Sequence, residues 1–147
     1  MEIAILGLGC FWGPEIKFSK LDGVVKTEVG YCGGNSGETT YKEVCTGTTN
    51  HAEVVKLDFD PKIISYEKIL KFFFEIHDPT TLNSQGPDFG TQYRSEIFYL
   101  NDQQKEISEK VIKEENIKFS GKIVTKTSLV KNYCPAEEYH QKYLEKR

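Results

Sequence analysis

The residues best suited to chemistry lie in the pentapeptide Gly9-Cys-Phe-Trp-Gly13, which joins the only tryptophan to one of four cysteines. The apolar run 2–8 ahead of it predicts a buried strand, and the apolar stripe that continues to Leu21 predicts a helix. Cys10 would therefore lie near a helix start, where unpaired N–H groups and the helix dipole favour an anion. This position predicts a lowered thiol pKa. By position alone, a cysteine packed in the core is an equally good interpretation.

Glu53 is the second candidate, because it is an acid at the start of an otherwise apolar strand predicted at 53–59. Facing solvent, it would be an ordinary exposed carboxylate. Facing the covered side of a sheet, it would lose its hydration, and its raised pKa would make it a proton donor near neutral pH. His51 would share that face if the strand began early.

The segment from Gly86 to Ser95 ends a long loop that starts at His77, and loops of this length in compact domains are usually functional. It holds Asp88, Tyr93 and Arg94 where the loop meets a strand. Asp88 could instead form a turn, and Tyr93 could be a half-buried anchor. Farther on, His140 and Tyr143 are three residues apart on a predicted polar helix at 135–147, whose exposed surface is their simpler interpretation.

Composition sets limits on the function. The 147 residues fit one domain, 1–147, and the formal charge of −3 with interspersed signs predicts no nucleic-acid partner. The sequence shows no membrane-spanning run and no secretory leader, so we expect a cytoplasmic protein. The cysteines and the three histidines lack paired short spacings, which predicts free thiols and no metal site.

Strands and helices alternate along the chain. Strands are predicted at 2–8, 24–31, 53–59, 97–100 and 123–130, and helices follow Cys10, start at Ser65, span 102–119 and form the tail. This order predicts an α+β fold, a two-layer sandwich in which helices pack on a mixed, largely antiparallel sheet.

Four segments together resemble one family. They are Gly9-Cys-Phe-Trp-Gly13, Gly47-Thr-Thr-Asn-His-Ala-Glu-Val-Val55, Asp88-Phe-Gly-Thr-Gln-Tyr-Arg-Ser95 and Ala136-Glu-Glu-Tyr-His-Gln141. In this order and spacing they are similar to the peptide-methionine (S)-S-oxide reductases, the A-type methionine sulfoxide reductases. The resemblance runs from about residue 4 to about residue 145. It implies a ferredoxin-like core and an enzyme that repairs oxidised proteins without a cofactor.

The resemblance also implies a role for each matching residue. Cys10 would attack the sulfur of methionine S-sulfoxide, free or in a protein, and become a sulfenic acid. Glu53 would protonate the sulfoxide oxygen, and Tyr41 and Tyr93 would hydrogen-bond it. An apolar pocket for the substrate methyl group would come from Phe11 and Trp12, and substrate positioning from Asp88 and His140.

The sequence departs from the family in its tail, because many members carry a resolving cysteine beyond the Tyr-His-Gln segment and this sequence has none there. Three routes could regenerate Cys10: direct reduction by an external thiol such as glutathione or glutaredoxin, or resolution by Cys32 or by Cys134. An internal disulfide would suit thioredoxin, whereas a one-cysteine cycle would suit glutaredoxin. We favour the one-cysteine route and expect Cys45 to be structural.

Three other functions fit parts of the pattern. A metal-binding or redox-sensing module would use the cysteines and histidines. A thiol peroxidase would also form a sulfenic acid at a helix start, but it would need neither Glu53 nor the aromatic pocket. A noncatalytic binder of oxidised methionine would have no reason to keep the nucleophile, the acid and both tyrosines.

Overall fold

A six-stranded sheet forms the centre of the computed structural model, which describes residues 1–146. Its strands are β1 (Glu2–Leu8), β2 (Val24–Cys32), β3 (Ala52–Phe59), β6 (Ser95–Tyr99), β7 (Lys126–Leu129) and β8 (Cys134–Pro135), and a separate hairpin holds β4 (Ser84–Gln85) and β5 (Asp88–Phe89). The sheet order is β7-β6-β1-β3-β2-β8, with only the β6–β7 pair parallel. The mixed, largely antiparallel sheet is confirmed.

The four α-helices described in residues 1–146 differ at their starts, because a side chain caps each of the last three and none caps the first. They are α1 (Trp12–Ser19), α2 (Tyr41–Cys45), α3 (Tyr66–Glu75) and α4 (Asp102–Lys118). The Ser65 hydroxyl accepts the N–H of Lys68 over 3.1 Å, which agrees with the helix start predicted at Ser65. Asn101 caps α4 in the same way, accepting the N–H of Gln104 over 2.9 Å.

The main core lies between one face of the sheet and helices α1, α3 and α4. It includes the fully buried side chains Leu6, Phe18, Leu57, Leu70, Phe73 and Val111. A smaller cluster covers part of the opposite face and consists of Ile5, Cys32, Ala52, Val54 and Phe98. One face packed against helices defines the two-layer α+β architecture predicted above.

The predicted tail helix is wrong. The part of 135–147 that the structure describes contains the end of β8 and a single 3-10 turn, Glu138–His140. Long-range bonds explain the difference: the Gln141 side-chain amide pairs with both the N–H and the carbonyl of Val29 over 2.9 Å, and the Lys142 N–H donates to Glu15 over 2.7 Å. We call residues 134–146 the C-terminal strap. The predicted strand at 123–130 is likewise shorter and survives only as β7.

Gly9 forms the turn between β1 and α1 with a φ of +98°, a conformation that side chains with a Cβ rarely adopt. A Cβ at this position would lie 2.8 Å from Cγ of Gln85. Asp88 pairs with Gln85 across the β4–β5 hairpin. The glycine therefore lets the hairpin pack directly against the turn that carries Cys10.

His77 makes the stability of the fold depend on pH. Its Nδ1 lies 2.6 Å from the Phe73 carbonyl and its Nε2 lies 2.8 Å from the Ser95 hydroxyl. Burial lowers its pKa to about 4, so the folded state holds it neutral. The unfolded chain binds a proton on His77 below the ordinary histidine pKa of about 6.5. The contribution of neutral His77 to the free energy of unfolding is therefore complete above that pH and is lost as pH falls toward 4.

We therefore expect the His77 contribution to the free energy of unfolding to fall by at most about 2 kcal/mol between neutral pH and about pH 5. Urea unfolding of wild type and His77→Gln at both pH values measures it. The variant should be less stable at neutral pH and less sensitive to acid. Parallel curves for the two proteins would contradict this role.

Candidate active site

Cys10 lies in the turn between β1 and α1, half-buried, and its sulfur accepts the backbone N–H of Trp12. Burial raises its pKa to about 11; the N–H of Trp12 offsets part of this shift, and the charges of Glu53 and Asp88 add to it. The lowered pKa predicted from the helix start is therefore wrong. Because α1 begins only at Trp12, removal from water outweighs the one N–H that reaches the sulfur. Cys10 is a thiol at neutral pH.

Glu53 lies on β3 and is 1% exposed, so the solvent-facing interpretation is wrong. Its Oε1 accepts the Phe11 N–H over 3.4 Å, which places the carboxyl beside the Cys10 turn. Among the described residues, its Oε2 has no hydrogen-bond partner. Burial raises its pKa to about 8, with the Phe11 N–H opposing and the charge of Asp88 reinforcing the shift. At neutral pH Glu53 is thus mostly a neutral acid with one free oxygen.

Tyr41 and Tyr93 meet near this acid. Tyr41 begins α2 and Tyr93 ends a 3-10 turn, Thr91–Tyr93, and their hydroxyls interact with each other. Burial raises the pKa of both, that of Tyr93 to about 12, and the charge of Glu53 adds to each shift. Both phenols therefore remain hydrogen-bond donors. Tyr41 also interacts with the thiol of Cys45, which is exposed, and the expectation that Cys45 is structural stays a prediction.

An aromatic cluster forms the other wall. The ring of His140 lies 5.3 Å from that of Phe11 and 4.5 Å from that of Tyr41, measured between centroids. The Trp12 indole N–H donates to Nδ1 of His140 over 3.0 Å, so neutral His140 carries its hydrogen on Nε2. That buried nitrogen has no partner among residues 1–146. Tyr143 stacks on Trp12 at 3.9 Å between ring centroids, so Tyr143 and His140 both contact the indole although no helix joins them.

Two residues singled out in the sequence have structural contacts instead. The Arg94 guanidinium donates to Glu96 over 2.6 Å and to the carbonyls of Thr91 and Asn50 over 2.8 and 3.1 Å. His51 precedes β3 rather than sharing its face with Glu53, and its Nε2 lies 2.8 Å from the Ser36 carbonyl. Arg94 thereby fixes the loop ahead of Glu53 to the turn that carries Tyr93.

The site also contains residues that the sequence reasoning did not select. Tyr31 pairs with Glu53 across β2 and β3, and its ring lies 5.8 Å from that of Phe11. Glu137 accepts the Tyr31 hydroxyl over 2.8 Å and the Tyr41 N–H over 3.0 Å. The only signal for Glu137 in the sequence was its place beside His140 in one motif.

Together these groups place a soft sulfur nucleophile, a neutral acid, two phenol donors and an aromatic wall around one point. Such a set suits an electrophilic sulfur that carries a basic oxygen. A family model described as peptide methionine sulfoxide reductase matches residues 2–147. The chain belongs to the peptide methionine sulfoxide reductase family. Its members reduce methionine sulfoxide, and the chain is accordingly a peptide-methionine (S)-S-oxide reductase.

Relatives of this reductase extend across distant lineages. It is 84% identical to the peptide methionine sulfoxide reductase MsrA of Pelagibacter ubique (strain HTCC1062) over 147 residues, which cover 100% of both chains. It is 53% identical to the MsrA of Methanothermobacter thermautotrophicus, covering 99% of this chain and 87% of that one. The match thus includes every segment that carries the site.

Solved structures of the family share the fold. Mxr1 from Saccharomyces cerevisiae in reduced form superimposes with a TM-score of 0.96 at 43% identity, covering 99% of this reductase and 85% of that chain. Mxr1 in complex with Trx2 gives a TM-score of 0.70 at 29% identity, covering 97% and 84%. Within residues 1–146, no helix of the reductase combines the length and the apolar character needed to cross a membrane.

Proposed function

We propose that Cys10 is the nucleophile and Glu53 the proton donor in the reduction of methionine S-sulfoxide. The observation that carries this assignment is the free Oε2 of Glu53, a buried acid with a pKa of about 8. Its other oxygen is held by the N–H of Phe11, the residue next to Cys10. A neutral acid is therefore available where the oxygen of a sulfoxide attacked by Cys10 would lie.

The reaction balances with these groups. The sulfur of Cys10 attacks the sulfoxide sulfur while Glu53 protonates the oxygen, and the thiol proton of Cys10 replaces the one that Glu53 gave up. Methionine leaves as a thioether, and Cys10 retains one oxygen as a sulfenic acid. Tyr41 and Tyr93 donate hydrogen bonds to the oxygen as its negative charge develops. Because both phenols have raised pKa values, they stay protonated throughout.

Selectivity for the S epimer follows from two unlike walls. Phe11 and Trp12 present apolar surface for the methyl group, opposite the oxygen-binding groups. Asp88 and the free Nε2 of His140 position the rest of the substrate. In the R epimer the methyl group and the oxygen are exchanged, which would place an oxygen against aromatic carbon and leave the donors unpaired.

We expect the reductase to convert the S epimer of a blocked methionine sulfoxide at least about 100-fold faster than the R epimer, with dithiothreitol as reductant. Chiral chromatography of the remaining substrate measures both rates. Trp12→Ala should raise KM for the S epimer about ten-fold, because it removes apolar contact area and the hydrogen bond that orients His140. Equal rates for the two epimers would remove the pocket assignment.

Cys10 is regenerated, we further propose, by an external thiol. Cys32 is 0% exposed, lies in the cluster on the sheet face opposite the main core, and its thiol donates to the Lys131 carbonyl over 3.3 Å. Cys134 is half-buried in the strap, where its sulfur lies 3.8 Å from the Thr39 carbonyl. Full burial and the bond to Lys131 disfavour Cys32 as a resolving cysteine, and the sulfur of Cys134 contacts the carbonyls of Thr39 and Pro135.

Mass spectrometry after one turnover without reductant tests this route. Wild type, Cys32→Ser, Cys45→Ser and Cys134→Ser should all retain a Cys10 sulfenic acid that dimedone traps. A Cys10 disulfide that disappears in one of these variants would identify a resolving cysteine and end the one-cysteine proposal.

The reductant follows from the same chemistry. Mxr1 has been solved with Trx2, and a thioredoxin is therefore one candidate donor for this reductase. A lone sulfenic acid would instead form a mixed disulfide with glutathione, which glutaredoxin then reduces. We expect glutathione with glutaredoxin to support faster turnover than thioredoxin with its reductase. Faster turnover with thioredoxin would favour a resolving cysteine.

The chain 1–147 forms, in our proposal, a single catalytic domain in the cytoplasm. The site draws on Cys10 near one end of the sequence and on His140 near the other, so neither half should act alone. Four free thiols fit a reducing compartment. Limited proteolysis, which should yield no active fragment, and cell fractionation test these two statements.

A further inference from the structure

Glu137 bridges two walls of the proposed site. It lies in the C-terminal strap, next to the 3-10 turn that carries His140. Its Oε1 accepts the hydroxyl of Tyr31 over 2.8 Å, and its Oε2 accepts the backbone N–H of Tyr41 over 3.0 Å. One carboxylate thus joins the strap to β2 and to α2, through residues that lie 106 and 96 positions earlier in the chain.

Both partners of Glu137 are attached to the chemistry. Tyr41 begins α2, so the bond to its N–H fixes the residue whose hydroxyl faces Tyr93. Tyr31 is the cross-strand partner of Glu53 and contacts the ring of Phe11. A shift of Glu137 would therefore move the oxygen-binding phenol relative to the acid and the methyl pocket.

The bridge requires a charged carboxylate. Burial opposes ionisation of Glu137, but the N–H of Tyr41, its own backbone N–H and the O–H of Tyr31 together hold its pKa below the usual range. Burial raises the pKa of the Tyr31 phenol, and its hydrogen bond to Glu137 adds to the shift. Since both partners donate, only a group with two acceptor oxygens satisfies them together.

We propose that Glu137 is a positioning residue that sets the place of the Tyr41 hydroxyl in the transition state. This inference rests on the proposed role of Tyr41 in oxygen binding. Its consequence is specific: Glu137 acts through Tyr41, so its loss should matter only while Tyr41 has a hydroxyl to place.

A double-mutant cycle on the chemical step tests this coupling, with methionine S-sulfoxide and excess dithiothreitol. Glu137→Ala should lower kcat about ten-fold with little change in KM, and Tyr41→Phe should do the same. The double variant should be no more than about two-fold below the worse single variant. Glu138→Ala is the matched control, because its exposed neighbouring carboxylate should leave kcat unchanged.

Glu137→Gln covers the case in which the alanine variant does not fold. Its amide oxygen can keep one of the two donors, and we expect an intermediate loss of about three-fold in kcat at an unchanged melting temperature. Two results would overturn the proposal: full kcat in Glu137→Ala or Glu137→Gln while Tyr41→Phe is impaired, or losses that multiply in the double variant. Full activity of Tyr41→Phe alone would instead remove the proposed role of Tyr41 and this inference with it.

Discussion

Cys10→Ser should yield no detectable methionine from methionine S-sulfoxide with dithiothreitol, a loss of at least about 10⁴-fold in turnover. Serine is close in size to cysteine, so the turn at Gly9 and the start of α1 should be retained. Its hydroxyl is a much weaker nucleophile toward sulfur and cannot hold the transferred oxygen as a sulfenic acid. Chromatography of methionine formed over time measures the loss.

The other three cysteines provide the controls for this result. Cys32→Ser, Cys45→Ser and Cys134→Ser should each keep turnover with dithiothreitol within about three-fold of wild type, because none supplies the attacking sulfur in the proposed step. Equal turnover by wild type and Cys10→Ser would contradict the nucleophile assignment. Loss of turnover in Cys134→Ser alone would instead identify Cys134 as the nucleophile.

Glu53→Gln should remain folded and lose about 10² to 10³-fold in the rate of the chemical step at neutral pH. Glutamine keeps the shape of the side chain and can still accept the N–H of Phe11, but it has no acidic proton for the sulfoxide oxygen. Single-turnover rates with enzyme in excess isolate this step from regeneration. Full activity of the variant would remove Glu53 from the acid role.

The pH profile gives the sign of the same effect. Glu53 donates only while it is protonated, and its pKa is about 8. The wild-type single-turnover rate should therefore lose the contribution of Glu53 as pH rises through about 8, whereas Glu53→Gln should lack this descending limb. Cys10 opposes the fall at still higher pH, because its own pKa of about 11 makes the thiolate more abundant there.

Periodicity predicted the elements whose conformation follows from the local pattern of apolar and polar residues. The apolar runs at 2–8 and 53–59 correspond to β1 and β3, and the helices predicted to start at Ser65 and Asp102 correspond to α3 and α4. The strap was mispredicted because its composition suits an exposed helix. What decides its conformation is the pairing of Gln141 with Val29, more than a hundred residues away.

The candidate site shows the same difference between what local sequence predicts and what tertiary contacts decide. Residue types and the family resemblance led to the proposed roles of Cys10 and Glu53, but they did not give the direction of the Cys10 pKa shift. That shift depends on how far the sulfur is buried and on α1 starting two residues later, which are tertiary facts. Glu137 was missed for the same reason, since its partners Tyr31 and Tyr41 are 106 and 96 residues away.

The most direct test of the central claim is one turnover with enzyme in excess, no reductant and dimedone present. One methionine should appear for each dimedone adduct, and peptide mapping should place every adduct on Cys10. Glu53→Gln should give the same adduct far more slowly, and Cys10→Ser should give neither product. Methionine formed without an adduct on Cys10, or an adduct on another cysteine, would contradict the assignment of Cys10 as the nucleophile.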